Sequence, residues 1–162
     1  MQKEKIFAKM LDFYQGNIKD INHFIKVHAF AEMLGKLENL DGTTQETLEI
    51  AAIVHDIACP LCREKYGNTN GNHQEAESKA LLEEFLREFE LPQEMLERVI
   101  YLVTHHHTYN DVQGMDYQVL LEADFLVNAG EGEKYRKHVD AFRKNVFKTI
   151  SGCRFLAAMY PR

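Results

Sequence analysis

Apolar residues recur along most of this chain at intervals of three and four, the period of a helix that buries one face. Ile6, Phe7, Met10, Leu11 and Tyr14 mark such a face over 3–14. Ile21, Ile25, His28, Ala31, Met33 and Leu34 mark a second over 18–38. Thr43-Thr44-Gln45-Glu46 has the spacing of a capping box and opens a third helix that ends before Pro60. A loop rich in Gly and Asn over 66–72 leads to a fourth helix at 73–90, and Pro92 opens a fifth that runs to 107. A sixth covers 116–128, a longer one runs from 133 to 150, and a short one follows Gly152. Proline stands only at 60, 92 and 161, each at the edge of a periodic stretch, and no run alternates as a strand does. The pattern predicts an all-α, compact single-domain bundle of about six to eight helices.

Several polar residues break the rule that such faces are apolar. Leu48, Ala51, Ala52 and His55 fall at i, i+3, i+4 and i+7, so His55 continues a buried stripe, and Asp56 follows it between apolar neighbours. Asp124 shares a face with Leu120, Leu121 and Val127. His106 continues the stripe of Val99, Leu102 and Val103, with His105 at its edge. A buried carboxylate is costly unless it is paired, neutralised or bound to a metal. A single histidine on such a face reads as a hydrogen-bonded core residue. Two acids with several histidines read better as one cluster, because imidazole and carboxylate are the ligands of Zn, Mn, Fe, Co and Ni.

The ordered set His23, His55-Asp56, His73, His105-His106 and Asp124 resembles the HD-domain superfamily of metal-dependent phosphohydrolases. The resemblance is carried by His23-Phe24-Ile25-Lys26-Val27, LEIAAIVHDI at 48–57, GNHQEAE at 71–77, LVTHHH at 102–107 and Asp124, core motifs within 18–128. It implies one HD-like domain over 1–162, with the helices of 133–160 packed on that core. It further implies one divalent metal held by His23, His55, Asp56 and Asp124. In members with two ions, Asp56 would bridge to a second held by His73 and by His105 or His106. Asp56 would then be catalytic, and His73 or His105, where not a ligand, would protonate the leaving oxygen. The implied reaction is hydrolysis of a small phosphate ester, such as a nucleotide, by metal-activated water. Two departures matter: Ala58 stands where glycine would follow the His-Asp motif, and the Gly-Tyr-Pro signature of the cyclic-dinucleotide branch is absent, which sets that substrate aside. A di-iron oxygenase on the same fold, and a non-enzymatic metal- or ligand-binding regulatory module, are the alternatives.

Composition trims the picture. Of 162 residues, Lys and Arg number 19 against 25 Asp and Glu, a net charge of −6 that argues against binding a nucleic-acid polymer. No apolar run reaches the ~18 residues of a membrane span, and the first residues lack a signal-peptide core. Three cysteines cannot all pair, which fits a reducing, cytoplasmic setting. Cys59 and Cys62 form a C-x-x-C without the further ligands of a zinc site, and read as small residues in a turn. Lys26, Arg63 and Lys65 are the candidate phosphate contacts, and Tyr109 a candidate at the pocket mouth. His28 lies about 140° around its helix from His23 and reads as packed or surface. His107 and His138 read as ordinary.

Overall fold

The computed structural model describes residues 2–162. Its helices are α1 (Gln2–Tyr14), α2 (Ile18–Leu37), α3 (Gly42–Val54), α4 (Cys59–Tyr66), α5 (Gly71–Leu86), α6 (Gln93–His105), α7 (Met115–Glu131), α8 (Glu133–Arg136), α9 (Val139–Asn145) and α10 (Ile150–Met159), with a 3-10 turn over Arg87–Phe89. There is no strand among the described residues. Nine of the α-helices run seven residues or more, one above the expected range, because two stretches read as continuous are divided.

The first division shapes the site. The helix read as ending just before Pro60 stops at Val54, and Pro60 lies in the first turn of α4 instead. In an unbroken helix the carbonyl of Asp56 would need the N–H of residue 60, which proline lacks. That carbonyl is satisfied by Cys59 N at 2.9 Å and by the Tyr14 hydroxyl at 3.0 Å. The chain therefore turns over 55–58. Proline is well suited to a first helical turn, where its missing donor costs nothing.

The second division falls in 133–150, where the long helix expected is replaced by the single turn α8 and by α9. Phe142 stacks on Phe125 at 3.9 Å and Phe147 meets the same ring edge-on, so the chain must bend to bring both to α7. Val146 N and Phe147 N both donate to Phe142 O, closing α9. The α3 cap also differs from expectation. Asp41, not the Thr43–Glu46 box, accepts from Thr44 N at 2.9 Å, and α3 begins at Gly42.

At the centre α2 packs along both α3 and α7, α6 and α1 lie against α3, and α5 rests on α6. Ile6 and Met10 of α1, Phe24 and Val27 of α2, Leu48 and Ile53 of α3, Leu102 of α6 and Leu120 of α7 share one apolar cluster. No helix among the described residues is long and apolar enough to cross a membrane.

Candidate metal centre

Four side chains from three helices and one turn converge where α2, α3 and α7 meet. His23 is buried on α2, His55 caps the C-terminus of α3 with no exposure, Asp56 follows in the turn, and Asp124 is buried on α7. His23 Nε2 lies 3.1 Å from His55 Nε2, 3.2 Å from Asp56 Oδ2 and 3.2 Å from Asp124 Oδ1. His55 Nε2 lies 3.4 Å from Asp56 Oδ2 and 3.3 Å from Asp124 Oδ1. His106, the C-cap of α6, approaches from the other side, its Nε2 3.4 Å from Asp56 Oδ1.

The outer nitrogens decide what these inner atoms are. His23 Nδ1 is 2.7 Å from Glu131 Oε1, His55 Nδ1 is 2.7 Å from Ala52 O, and His106 Nδ1 is 2.6 Å from Val103 O. Carboxylate and carbonyl oxygens only accept, so each Nδ1 donates, and in the neutral ring each Nε2 is a lone pair. With the rings neutral, lone pairs of nitrogen and oxygen thus face one another at 3.1–3.4 Å with no hydrogen between them. Asp124 Oδ1 and His106 Nε2 are buried with no hydrogen-bond partner. Such orphans cost about 1–3 kcal/mol each unless something fills the role of the missing donor.

A divalent cation fits that role. Ligands at about 2.0–2.1 Å from zinc stand about 3.3 Å apart in a tetrahedron and about 2.9 Å apart in an octahedron, which brackets the observed separations. His23, His55 and Asp56 form one such group of donor atoms, and Asp56, His106 and His107 form another. Without a cation, protons must balance the two acids. Burial pulls His55 down, but the charges of Asp56 and Asp124 outweigh it and push it up to about 10. Burial likewise opposes the charge on His23, and bonds from Asp124, Asp56 and Glu131 raise it above the usual histidine range. Burial would lift Asp56 and Asp124, yet the neighbouring histidines, His55 foremost, hold both well below the usual carboxylate range. The set demands positive charge at its centre.

His23, Asp56 and Asp124 open onto a cavity of about 380 Å³. Arg63 lines it, tied to Asp20 by bonds of 2.6 and 3.0 Å. The other substrate contacts expected from the sequence are not in its lining. Lys26 is exposed three residues beyond His23, whereas the cavity lies toward the N-terminal end of α2, where Lys19 stands one turn before His23. Lys65 bonds Glu77 at 2.6 Å, and Tyr109 packs edge-on against Phe142. Tyr135 and Lys134 of α8 take the mouth instead.

The second set of ligands is assembled differently from the expectation. His106 arrives beside Asp56, but His73 stacks on Tyr66 at 3.9 Å with Nδ1 2.8 Å from Asn68 Oδ1. His105 stacks on Tyr101 at 4.0 Å, its Nδ1 2.8 Å from Tyr101 O. Neither is brought to the cluster. His107, read as ordinary, lies beside His106 with ring centres 4.0 Å apart and lines the cavity. The charge of His106 and then burial push His107 down to about 4. Gly71 lets it pack there, since a Cβ at that position would meet His107 Cβ at 3.0 Å. Glu131 was also missed, although it falls seven residues after Asp124, two turns along the same face.

Fold and centre together define an all-helical protein with a buried His/Asp site of the metal-binding kind. The HD domain family model matches residues 20–141, three quarters of the chain, and the protein belongs to that family. The match takes in every residue of the central cluster, Glu131 included. No curated protein matches the chain.

Proposed function

We propose that this HD-domain protein is a metal-dependent phosphohydrolase acting on a small phosphate ester. The observation that carries the reading is the convergence of nitrogen and oxygen donor atoms from His23, His55, Asp56 and Asp124 at one end of a cavity. These four residues would hold the ion. When bound, a divalent ion there supplies Lewis-acid polarisation of a phosphoryl oxygen and lowers the pKa of water.

The chain's own residues do the rest. Glu131 and the Ala52 carbonyl fix the rings of His23 and His55 through their Nδ1 hydrogens, so each Nε2 is aimed before any ion arrives. Asp56 Oδ1, facing His106, is the cluster's remaining acceptor toward the neighbouring group of His106 and His107. That group supports a dinuclear variant of the same reading, with His107 in place of His73 and His105. Lys19, Arg63 and Lys134 line the cavity where an anionic substrate would enter.

The test is to load the purified protein with manganese, remove free ion and assay p-nitrophenyl phosphate. Metal-dependent release of nitrophenol, lost in Asp56→Ala and Asp124→Ala together with bound metal, is the expected result. Stoichiometric metal without turnover of p-nitrophenyl phosphate or a panel of nucleotides would favour the regulatory module. Oxygen-dependent turnover with about two irons bound would favour the oxygenase.

A further inference from the structure

Charge accounting around the cavity leads one step further. Five carboxylates line it, from Asp20, Asp56, Asp124, Glu131 and Glu133. Asp20 takes Arg63, Glu131 takes His23 and Glu133 faces Arg136 at 3.7 Å, while Asp56 and Asp124 are the two acids that would hold the ion. Of the three basic side chains in the lining, Arg63 is thereby neutralised. Lys19 and Lys134 stand in no ion pair and no hydrogen bond with any described residue, and Lys134 only rests over the Tyr135 ring at 5.6 Å. They come from elements more than a hundred residues apart, α2 and α8, yet border one cavity. Once an ion is held by Asp56 and Asp124, two unmatched cations therefore border a cavity whose other acids are taken by Arg63, His23 and Arg136.

A single phosphate taken by the metal end leaves much of a 380 Å³ cavity unfilled. Ligand sites span about 300–1,000 Å³, so this one has room for a group beyond the reacting phosphate. We infer that Lys19 and Lys134 form a second anion subsite, and that the substrate carries two anionic groups: the phosphate that reacts, and a further phosphate or diphosphate-type group at the mouth. This rests on the phosphohydrolase reading and narrows its substrate class to doubly anionic esters. Lysine suits such a subsite, since an ammonium binds phosphate as a point charge without the fixed geometry of a guanidinium.

The test uses binding, with no turnover required. Manganese-loaded protein is titrated calorimetrically with methylphosphonate, which has one anionic group, and with methylenediphosphonate, which has two. Wild type, Lys19→Met, Lys134→Met and Lys144→Met are compared, the last altering an exposed α9 lysine outside the cavity lining. Chelation of manganese in solution is the same for every variant, so differences between variants isolate the lysines. The diphosphonate is expected to bind wild type at least about tenfold more tightly than the monophosphonate, and each mouth substitution to weaken it about five- to tenfold. The same substitutions should change methylphosphonate binding less than about twofold, and Lys144→Met should change neither. Equal weakening of both ligands, or no preference for the diphosphonate, would overturn the second subsite and leave the phosphohydrolase reading standing. Failure of both ligands to bind manganese-loaded protein would overturn both.

Discussion

Two buried carboxylate–histidine clusters in this molecule use the same residue types to opposite ends. On α3, Glu49 is almost fully buried, accepting from Lys3 Nζ at 2.9 Å and Gln45 Nε2 at 2.9 Å, with His28 Nε2 at 3.0 Å. His28, Glu32 and Glu49 even have the spacing of a metal group. Just past the end of α3, His55 and Asp56 join His23 and Asp124. The difference lies in the hydrogens. Around Glu49 a lysine supplies the charge and N–H groups meet the oxygens, so the cluster is complete as an ion pair. In the HD centre Glu131, Ala52 O and Val103 O engage the imidazole hydrogens outward, and in the neutral rings the inner atoms are left as acceptors. Residue type does not make a metal site; the direction in which each ring's hydrogen is held does.

The comparison breaks most sharply at the acids. Asp124→Ala should weaken manganese binding by about a thousandfold or more, beyond the 10–100-fold typical of outer-sphere partners, whereas Glu49→Leu should leave it unchanged. Calorimetric titration of both variants decides this, and metal loss in Glu49→Leu would erase the distinction. Glu131→Ala is expected to lower metal affinity about 10–100-fold by releasing the His23 ring, with partial recovery in Glu131→Gln, whose amide oxygen still accepts from Nδ1. Equal affinity in all three proteins would show that His23 needs no orientation.

Stability should separate the clusters next. Glu49→Leu leaves Lys3 and His28 without their acceptor, but both are partly solvated, so a loss of about 1–2 kcal/mol is expected from thermal or urea unfolding. The metal-free and metal-loaded proteins should lose similar amounts. Acidity then sharpens the contrast through opposite signs. Burial opposes ionisation of Glu49, but Lys3 and Gln45 lower its pKa, so its contribution is present above the ordinary glutamate range and is lost as pH falls below it. In the metal-free protein His55 is raised to about 10, so its contribution is complete below about 6.5 and is lost as pH rises toward 10. The metal-free melting temperature should therefore decline from pH 7 to 10, and saturating manganese should flatten that decline. A decline of the same size with and without metal would disprove the link. The smallest effect is expected at Lys65, whose solvent-screened pair with Glu77 contributes little, so Lys65→Ala should change stability and ligand binding little.

What could be read in advance, and what could not, follows the range of the forces involved. Helix periods depend on neighbours three and four residues apart, so α1, α2 and α6 emerged within a residue or two of their ends. The anomaly of His55, Asp56 and Asp124 was also legible, because a charged group on an apolar stripe violates a local rule. The family motif lay in the same residues, and the HD match over 20–141 agrees with it. Pro60 stood in view as a breaker, yet only the structure located the break at Val54, where Tyr14, from 42 residues away, takes the freed carbonyl of Asp56.

The sequence by itself thus determined that this chain is helical, which faces are apolar, and that acids and histidines on those faces must find one another. Only the tertiary structure decided which of the histidines do so. His73, His105, His106 and His107 are equivalent as residue types, but the stacking of His73 on Tyr66 and of His105 on Tyr101 draws two of them away. The α6 C-terminus turns His106 toward Asp56, and Glu131 reaches His23 across 108 residues of chain. Such pairings depend on how rigid helices pack and on which way each ring's hydrogen is held, and no interval along the chain encodes either.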